Sequence, residues 1–531
     1  MDLNAVGINI NFGFVDWCIV VGYLIIIVAV GVYIKRYISD VTDFIVAGRG
    51  LKTYLATATM VGTELGLVTV MYSAQKGFTG GFAAFHIALT SAIVALIIGL
   101  TGFIVVPLRR MKVMTIPEFY ERRFGRGVRI LGGAILTFSG ILNMGMFLKA
   151  GSIFVMGITG MTSELELKII MTALLAMVLL YTSLGGMVSV VVSDYIQFVL
   201  LSFSLLAMCI LSIKYLSWPS IVGTVSLLKG QAGFNPLHSE GFGASYVVWM
   251  FFLGLVNCAI WQTAVIRACS VESTRVVKRL YTWSSIGFLV RNLLPCFLGI
   301  SALAYIVQNQ SLKNIFLPEG AEADPQLTLM AMPVFLSQIL PVGVLGFVAA
   351  GMLAAFMSTH DSYLLCWSSV LTQDVVAPCF KKGLSSKTRL LLTRIFILAI
   401  GIFILVWGLW YPLGQDLWDY MAISGAIYFT GAAAVLVFGL YWRRASKVGA
   451  YLALIAGFCA IIGLKPVRSL FFQLASALGL ETARAQAYVN SIPSAKLSAI
   501  VGLTIIALAM VLMVAGSLVF PSRGPSVEHK E

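Results

Sequence analysis

Long apolar blocks recur along the whole chain, and this repetition limits the possible folds more than any other feature. The blocks are roughly 18 to 25 residues long, the length that an α-helix needs to cross a hydrocarbon layer about 30 Å thick. Of the 531 residues 59% are hydrophobic and only 11% are charged, whereas a soluble chain carries about 25% charged residues. The pattern predicts an all-α polytopic protein of the lipid bilayer and excludes a soluble enzyme.

Charged and turn-rich breaks divide the apolar blocks into about thirteen predicted transmembrane helices. These predicted spans are 14–34, 53–74, 82–107, 128–157, 167–182, 187–213, 245–266, 281–306, 341–372, 391–411, 417–441, 448–463 and 496–520. The longest polar stretches, 214–244, 307–330 and 464–495, are expected to be short exterior loops. We therefore expect one integral membrane domain over 1–531, without a soluble kinase, nucleotide-binding or receptor domain.

The basic residues indicate how the chain is oriented in the membrane. If the N-terminus lies outside, most of the 36 lysines and arginines, Arg267 among them, fall in interior loops. The positive-inside rule favours this orientation. The first apolar segment lacks a basic n-region and a small-residue cleavage site, so we expect a retained helix rather than a signal peptide. The sequence thus predicts a multi-pass protein of the plasma (inner) membrane with its C-terminus in the cytoplasm.

Two charged residues are expected near the membrane midplane, where each charge costs about 2.5 to 3.5 kcal/mol on insertion scales and therefore suggests a function. Glu64 lies in the segment Ala58–Gly66, whose glycines and threonines form helix poorly. A break of the second span here would expose backbone carbonyls as cation ligands. Arg291 is expected at a similar depth, where it can pair with Glu64. The pair can serve a solute or be purely structural, and both interpretations stay open.

The ninth predicted span carries the densest polar cluster of the apolar blocks. One helical face, at the spacing i, i+3, i+4 and i+7, holds Ala355, Ser358, Thr359 and Ser362. Asp361 lies beside this face, and His360 points to another side, where we expect a core imidazole. Small residues, hydroxyls and one carboxylate form an all-oxygen site that suits a hard cation, Na⁺ or H⁺, and offers no soft ligand for a transition metal.

Several motifs, in their order along the chain, resemble the sodium/solute symporter family, the relatives of the sodium/glucose and sodium/proline carriers. The matches run from about residue 45 to residue 460 and are Ala47-Gly48-Arg49, Ile116-Pro117-Glu118-Phe119, Arg122-Arg123-Phe124-Gly125, Tyr181-Thr182-Ser183-Leu184-Gly185-Gly186 with Asp194 and Gln197, Met357-Ser358-Thr359, and Gly439-Leu440-Tyr441-Trp442-Arg443-Arg444 with Gly449-Ala450. Each motif is weak by itself. Their order and the thirteen spans together carry the resemblance.

The resemblance implies a LeuT-type fold, in which two inverted five-helix repeats, here spans 2–6 and 7–11, have broken first helices that frame a midplane site. The predicted division of the chain is an extra N-terminal helix at 14–34, the first repeat with a flanking helix at 53–266, the second repeat at 281–463 and an extra C-terminal helix at 496–520.

The resemblance also implies two cation sites. The main sodium site would use the carbonyls of Gly62, Leu65 and Ala355 with the hydroxyls of Ser358 and Thr359. A second cation site, which only some members have, would use Asp194, Ser358 and the turn that holds Asp361 and Ser362. The family usually carries a hydroxyl or small residue where this chain has Asp361, so the second cation can be sodium or a proton.

The solute site implied by the resemblance contains Glu64, Thr69, Asn257 and Arg291. Glu64 matches an acidic position of the proline carriers, and Arg291 matches a substrate-contacting lysine position of the sugar carriers. Asn257 falls where the sugar carriers have an aromatic inner gate, and this departure disfavours a sugar. Glu64 with Arg291 suits a zwitterion or a carboxylate.

These features predict a secondary active transporter that couples a small organic solute to Na⁺ by alternating access. Sodium is the coupling ion, no other cofactor and no nucleic acid partner is expected, and the protein is not an enzyme. Two alternatives stay open. A proton-coupled symporter of the same fold would use Asp361, and a multi-span membrane acyltransferase would need a buried, partnered histidine among His86, His238, His360 and His529.

Overall fold

The computed structural model describes residues 10–34, 49–161, 163–239, 241–318, 324–380, 383–410, 416–478 and 482–521. These residues form helices and one isolated β-bridge, between Leu51 and Val271. Three residues named above, Ala47, Gly48 and His529, lie outside the described ranges.

The α-helices of the described residues are α1 (Phe14–Ile34), α2 (Thr53–Glu64), α3 (Leu67–Gly80), α4 (Phe85–Thr101), α5 (Val105–Arg110), α6 (Ile116–Phe124), α7 (Arg126–Gly145), α8 (Phe147–Thr159), α9 (Glu164–Leu216), α10 (Trp218–Lys229), α11 (Gly243–Ile260), α12 (Gln262–Ser270), α13 (Thr274–Gln308), α14 (Gln310–Phe316), α15 (Pro325–Ile339), α16 (Val344–Val370), α17 (Ser386–Trp410), α18 (Leu417–Tyr441), α19 (Lys447–Phe458), α20 (Lys465–Ala477), α21 (Ala483–Ser491) and α22 (Ser494–Val519).

Fewer helices than the thirteen predicted spans are long and apolar enough to cross a membrane alone. The described residues contain nine such helices, or ten if Lys447–Gly463 and Lys465–Ala477, which meet at 91°, form one span. The second predicted span is divided into the short helices α2 and α3, and the first corresponds to the 21-residue helix α1. The twelfth predicted span belongs to the bent pair.

The structure corrects two further predictions about the elements. The fifth and sixth predicted spans lie in one helix, α9, whose 53 residues would reach about 80 Å at 1.5 Å per residue. The polar stretches predicted as loops contain helices, among them α10, α15 and α20. A helix such as α20, with Pro466 at its start, follows the start signals of helices although its sequence is mixed in polarity.

Two helix breaks lie at the centre of the bundle. Between α2 and α3, Leu65 (φ −94°, ψ 59°) and Gly66 (φ −79°, ψ 166°) leave the helical conformation, so the predicted break of the second span is confirmed. Between α11 and α12, Trp261 (φ −70°, ψ 128°) interrupts the seventh predicted span. Both first helices of the implied repeats are therefore broken.

Helix α16 runs through the core of the protein, because every residue from Val348 to Val370 is buried. Its N-terminus is held by Asp16 of α1, whose Oδ1 accepts the backbone N–H of Gly343 at 2.8 Å and of Gly346 at 2.6 Å. A carboxylate is favourable at this helix end because the free N–H groups carry partial positive charge. The extra N-terminal helix thus anchors the helix that bears the predicted sodium ligands.

Candidate functional site

A cavity of about 90 Å³ lies where the two helix breaks face each other. Residues of α2, α3, α11, α13, α16 and α18 line it, and they include all four predicted solute residues, Glu64, Thr69, Asn257 and Arg291. The structure therefore brings together side chains that are more than two hundred positions apart in the sequence.

Glu64 and Arg291 form an ion pair at the wall of this cavity. Arg291 Nη1 lies 2.9 Å from Glu64 Oε2, and the side chains are only 5% and 9% exposed. The other carboxylate oxygen, Oε1, accepts a hydrogen bond from Thr263 Oγ1 at 3.1 Å. The predicted pairing is confirmed. Arg291 Nε is buried without a hydrogen-bond partner among the described residues, so the guanidinium keeps a free donor.

Aromatic rings form much of the remaining wall. The rings of Tyr72 and Trp418 meet edge to face with centroids 4.4 Å apart. Trp261, at the second helix break, donates from Nε1 to the hydroxyl of Tyr363 at 3.0 Å. The indole Nε1 of Trp418 is buried and has no hydrogen-bond partner in the described residues. A wall of aromatic rings with a small number of polar groups is typical of a site that binds a small organic molecule.

The predicted sodium ligands of α2 and α16 also lie together. Ser358 Oγ is 3.3 Å from the Gly62 carbonyl oxygen and 3.2 Å from that of Ala355. Thr359 Oγ1 is 3.0 Å from the Ala355 carbonyl oxygen and 3.3 Å from that of Thr63. Leu65, the remaining predicted ligand, lies at the helix break itself. The Thr63 carbonyl is an oxygen that the sequence reasoning did not include.

Asp194, Asp361 and Ser362, the predicted second cation site, form one buried cluster with hydroxyl groups. Asp194 Oδ2 accepts from Thr59 at 2.6 Å and from Thr63 at 2.8 Å. The hydroxyls of Thr63 and Ser362 are 3.0 Å apart, and Ser362 Oγ donates to Asp361 Oδ1 at 3.2 Å. In the described part of the chain, Asp194 Oδ1 is buried without a hydrogen-bond partner.

Arg267 belongs to the same cluster, and its predicted location in an interior loop was wrong. It lies in α12 with its side chain 1% exposed. Its guanidinium donates to Asp194 Oδ2 at 3.2 Å, to Ser362 Oγ at 2.7 Å and to the hydroxyl of Thr63. The sequence held one signal of this burial: Arg267 directly follows a predicted span and lies between Ile266 and Ala268. Arg267 joins α12 to α2, α9 and α16.

His360 is buried in α16, as expected for a core imidazole. Its Nδ1 lies 2.7 Å from the Phe356 carbonyl oxygen, and its ring packs on the Phe356 ring with centroids 3.9 Å apart. Its Nε2 has no hydrogen-bond partner among the described residues.

Comparison with known proteins assigns the chain to a family. The model of the Sodium:solute symporter family matches residues 44–457. Sodium/proline symporter 2 of Staphylococcus saprophyticus is 24% identical over 483 residues, which cover 86% of this chain and 87% of that protein. The human sodium/myo-inositol cotransporter is 24% identical over 83% of this chain, and the match spans 66% of the cotransporter.

A solved structure has the same fold. The substrate-bound outward-open state of a Na⁺-coupled sialic acid symporter superposes with a TM-score of 0.77 at 18% identity, over 97% of this chain and 99% of that one. This likeness confirms the predicted LeuT-type architecture. The similar proteins are transporters and not enzymes, so the acyltransferase alternative is discarded. The chain is a member of the sodium:solute symporter family.

Proposed function

We propose that the protein carries a small organic solute into the cell together with Na⁺ by alternating access. One observation supports this most directly. Thr359 lines the solute cavity and its hydroxyl also approaches the carbonyls of Thr63 and Ala355 in the proposed sodium site. A sodium ion held between α2 and α16 would therefore lie next to a bound solute.

Linkage between the two sites would drive the transport. Na⁺ bound by oxygens of Gly62, Leu65, Ala355, Ser358 and Thr359 would fix α2 against α16 and so shape the cavity wall. Because coupling between two sites is reciprocal, the solute would strengthen Na⁺ binding by the same factor. A membrane potential of 100 mV contributes about 2.3 kcal/mol per charge, which favours inward movement.

The solute that suits this cavity is a zwitterion or a carboxylate. Glu64 and Arg291 offer one group of each sign, and the Arg291 guanidinium and the Trp418 indole retain free donors. Thr69 and Asn257 add polar groups to the wall. The names of the relatives cover proline and myo-inositol, so the family alone does not choose between charged and neutral solutes. The Glu64–Arg291 pair is the observation that favours a charged solute.

A second cation would bind beside Asp194, Asp361 and Ser362. Asp194 pairs with the Arg267 guanidinium, and Asp361 accepts a hydrogen bond from Ser362 in the same cluster. The unpartnered Oδ1 of Asp194 is a free oxygen ligand in this cluster. Together with the Asp361 carboxylate it would supply the hard oxygen ligands that suit a monovalent cation.

The orientation that we propose places the N-terminus outside and the C-terminus in the cytoplasm of a cell that carries this protein in its plasma membrane. The distribution of basic residues along the sequence supports it. In this orientation α3 and the start of α18 lie in the outer half of the membrane, and α2 and α12 lie in the inner half.

Uptake into proteoliposomes tests the proposed function. A panel of radiolabelled amino acids, organic acids, sugars and vitamins would be screened with an inward Na⁺ gradient. We expect Na⁺-dependent uptake of a zwitterion or a carboxylate. Uptake of neutral sugars alone would contradict the charge argument, and uptake that follows pH and ignores Na⁺ would contradict sodium coupling.

Substitutions in α16 test the sodium site itself. Ser358→Ala and Thr359→Ala should each raise the Na⁺ concentration for half-maximal uptake by about tenfold, because each removes a cation ligand. Ser368→Ala is the matched control, since this buried hydroxyl of the same helix bonds only the Leu365 carbonyl among the described contacts. Unchanged Na⁺ activation in both site variants would refute the assignment.

A further inference from the structure

A second group of charges lies between α3, α18 and α22, outside the solute cavity. Lys76 Nζ is 2.8 Å from Asp416 Oδ2 and 3.2 Å from Asp419 Oδ2. Ser494 Oγ donates to Asp419 Oδ2 at 2.7 Å. The side chains of Lys76 and Asp419 are 3% and 1% exposed, whereas that of Asp416 is 21% exposed. We refer to these four residues as the outer ion cluster.

The outer ion cluster lies directly beyond the cavity wall. Tyr72 and Trp418, which line the cavity and touch each other, precede Lys76 by one helical turn and Asp419 by one residue. One turn of α-helix advances about 5.4 Å. On α3, Lys76 therefore lies one layer farther from the midplane than Tyr72, and it connects α3 to the outer start of α18 through Asp416 and Asp419.

A neutral residue strengthens the same connection. Gln75 donates from Nε2 to the Pro325 carbonyl at 2.8 Å and to Thr328 Oγ1 at 2.9 Å. Its Oε1 accepts the backbone N–H of Leu417 at 3.2 Å. Consecutive residues of α3 thus bind α15 and α18, and a path from the outside to the cavity is closed on this side.

We propose that the outer ion cluster is the extracellular gate of the solute cavity. This inference rests on the proposed function and on the proposed orientation. For a solute to enter from outside along this side, α3 must separate from the start of α18, and this separation must break the contacts of Lys76 with Asp416 and Asp419. A buried ion pair that loses one partner leaves an uncompensated charge, so the cluster favours the closed state until water enters.

The charges of the cluster also predict how its disruption would change the conformational equilibrium. Lys76 is opposed by two carboxylates, and its ammonium lies over the Tyr246 ring at 5.8 Å from the centroid. Without the lysine charge, Asp416 and Asp419 would repel each other and draw water between the helices. Lys76→Met, which keeps the length of the side chain, should therefore shift the population toward the outward-open state.

Cysteine accessibility measures this population without knowledge of the solute. Ala422 is a buried residue of the cavity wall, and Ala422→Cys would be labelled in cells by a membrane-impermeant methanethiosulfonate reagent added outside. The exposed cysteines Cys18, Cys379 and Cys459, and Cys258, which also lines the cavity, would be replaced by serine in every protein. Lys76→Met should raise the labelling rate about tenfold, and Lys76→Arg should stay near the parent rate.

The matched control is Lys168→Met, which removes the lysine of an exposed pair with Glu164 and should leave the labelling rate unchanged. A folded Lys76→Met protein that is labelled no faster than its parent would overturn the gate. If Lys76→Met fails to fold, Asp416→Asn, at the more exposed edge of the cluster, should raise the rate about threefold. An unchanged rate in a folded Asp416→Asn protein would overturn the proposal equally.

Binding of radioactive ²²Na⁺ to the same purified proteins separates this inference from the proposed function. Lys76→Met should still bind Na⁺, since the cluster contains none of the proposed sodium ligands. A parent protein that binds no Na⁺ would contradict sodium coupling, whatever the labelling rates are. Normal Na⁺ binding with no effect of Lys76→Met on labelling would contradict the gate alone.

Discussion

The sequence predicted some residues of the site and missed others. Glu64 and Arg291 stood out because charge is rare in apolar blocks, and their ion pair is present at 2.9 Å. Arg267 did not stand out, because it follows a predicted span and was counted among the loop bases. Its burial depends on acceptors from Thr63, Asp194 and Ser362, and these acceptors meet only in the folded protein.

At the residue scale, Arg267→Gln should destabilise the protein by about 3 to 5 kcal/mol, because it leaves the buried Asp194 carboxylate without its cation. Thermal unfolding of the purified protein in detergent measures this loss. Asp194→Asn combined with Arg267→Gln removes both charges and should recover much of the stability. A double variant no more stable than Arg267→Gln alone would show that the pairing of charges is not what Arg267 contributes.

At the element scale, the breaks of the two first helices are the features that build the site. The break at Leu65 and Gly66 was predictable, because glycines and threonines surround Glu64 in an otherwise apolar block. The break at Trp261 lies between the buried residues Ile260 and Gln262, and only the family resemblance implied it. The length of α9 was not predictable, since polar and small residues near Ser183 resemble a loop but are also tolerated in a helix.

Gly66 shows how closely the elements at the first break approach each other. A Cβ atom at this position would lie 2.0 Å from Thr359 Oγ1 and 3.0 Å from Thr359 Cβ. Gly66→Ala should therefore push α16 away from the break and weaken Na⁺ binding by about tenfold, measured as the Kd for ²²Na⁺. Gly223→Ala in α10, where a Cβ meets no atom within 4 Å, is the control, and equal Kd values for the two variants would refute this account.

At the scale of the whole molecule, the sequence predicted class and fold better than the number of spans. Apolar length and low charge content are properties that a bilayer imposes on any crossing helix, so the all-helical membrane protein was predictable. Span counting assumes straight helices that each cross once. Broken helices such as α2 and α3, and a long helix such as α9, violate this assumption.

The number of sodium ions per cycle is a property of the whole transporter, and Asp361 provides a test of it. Each Na⁺ that moves inward at a potential of 100 mV adds about 2.3 kcal/mol, or roughly a 50-fold accumulation of solute. With two cations per solute, the logarithm of the accumulation ratio of a solute without net charge should rise twice as steeply with potential as with one.

Asp361→Asn removes the charge that we assign to the second cation, so it should halve this slope in proteoliposomes. Asp324→Asn, which alters an exposed helix cap, is the control and should leave the slope unchanged. An identical slope for the parent and Asp361→Asn would place the second cation elsewhere or exclude it.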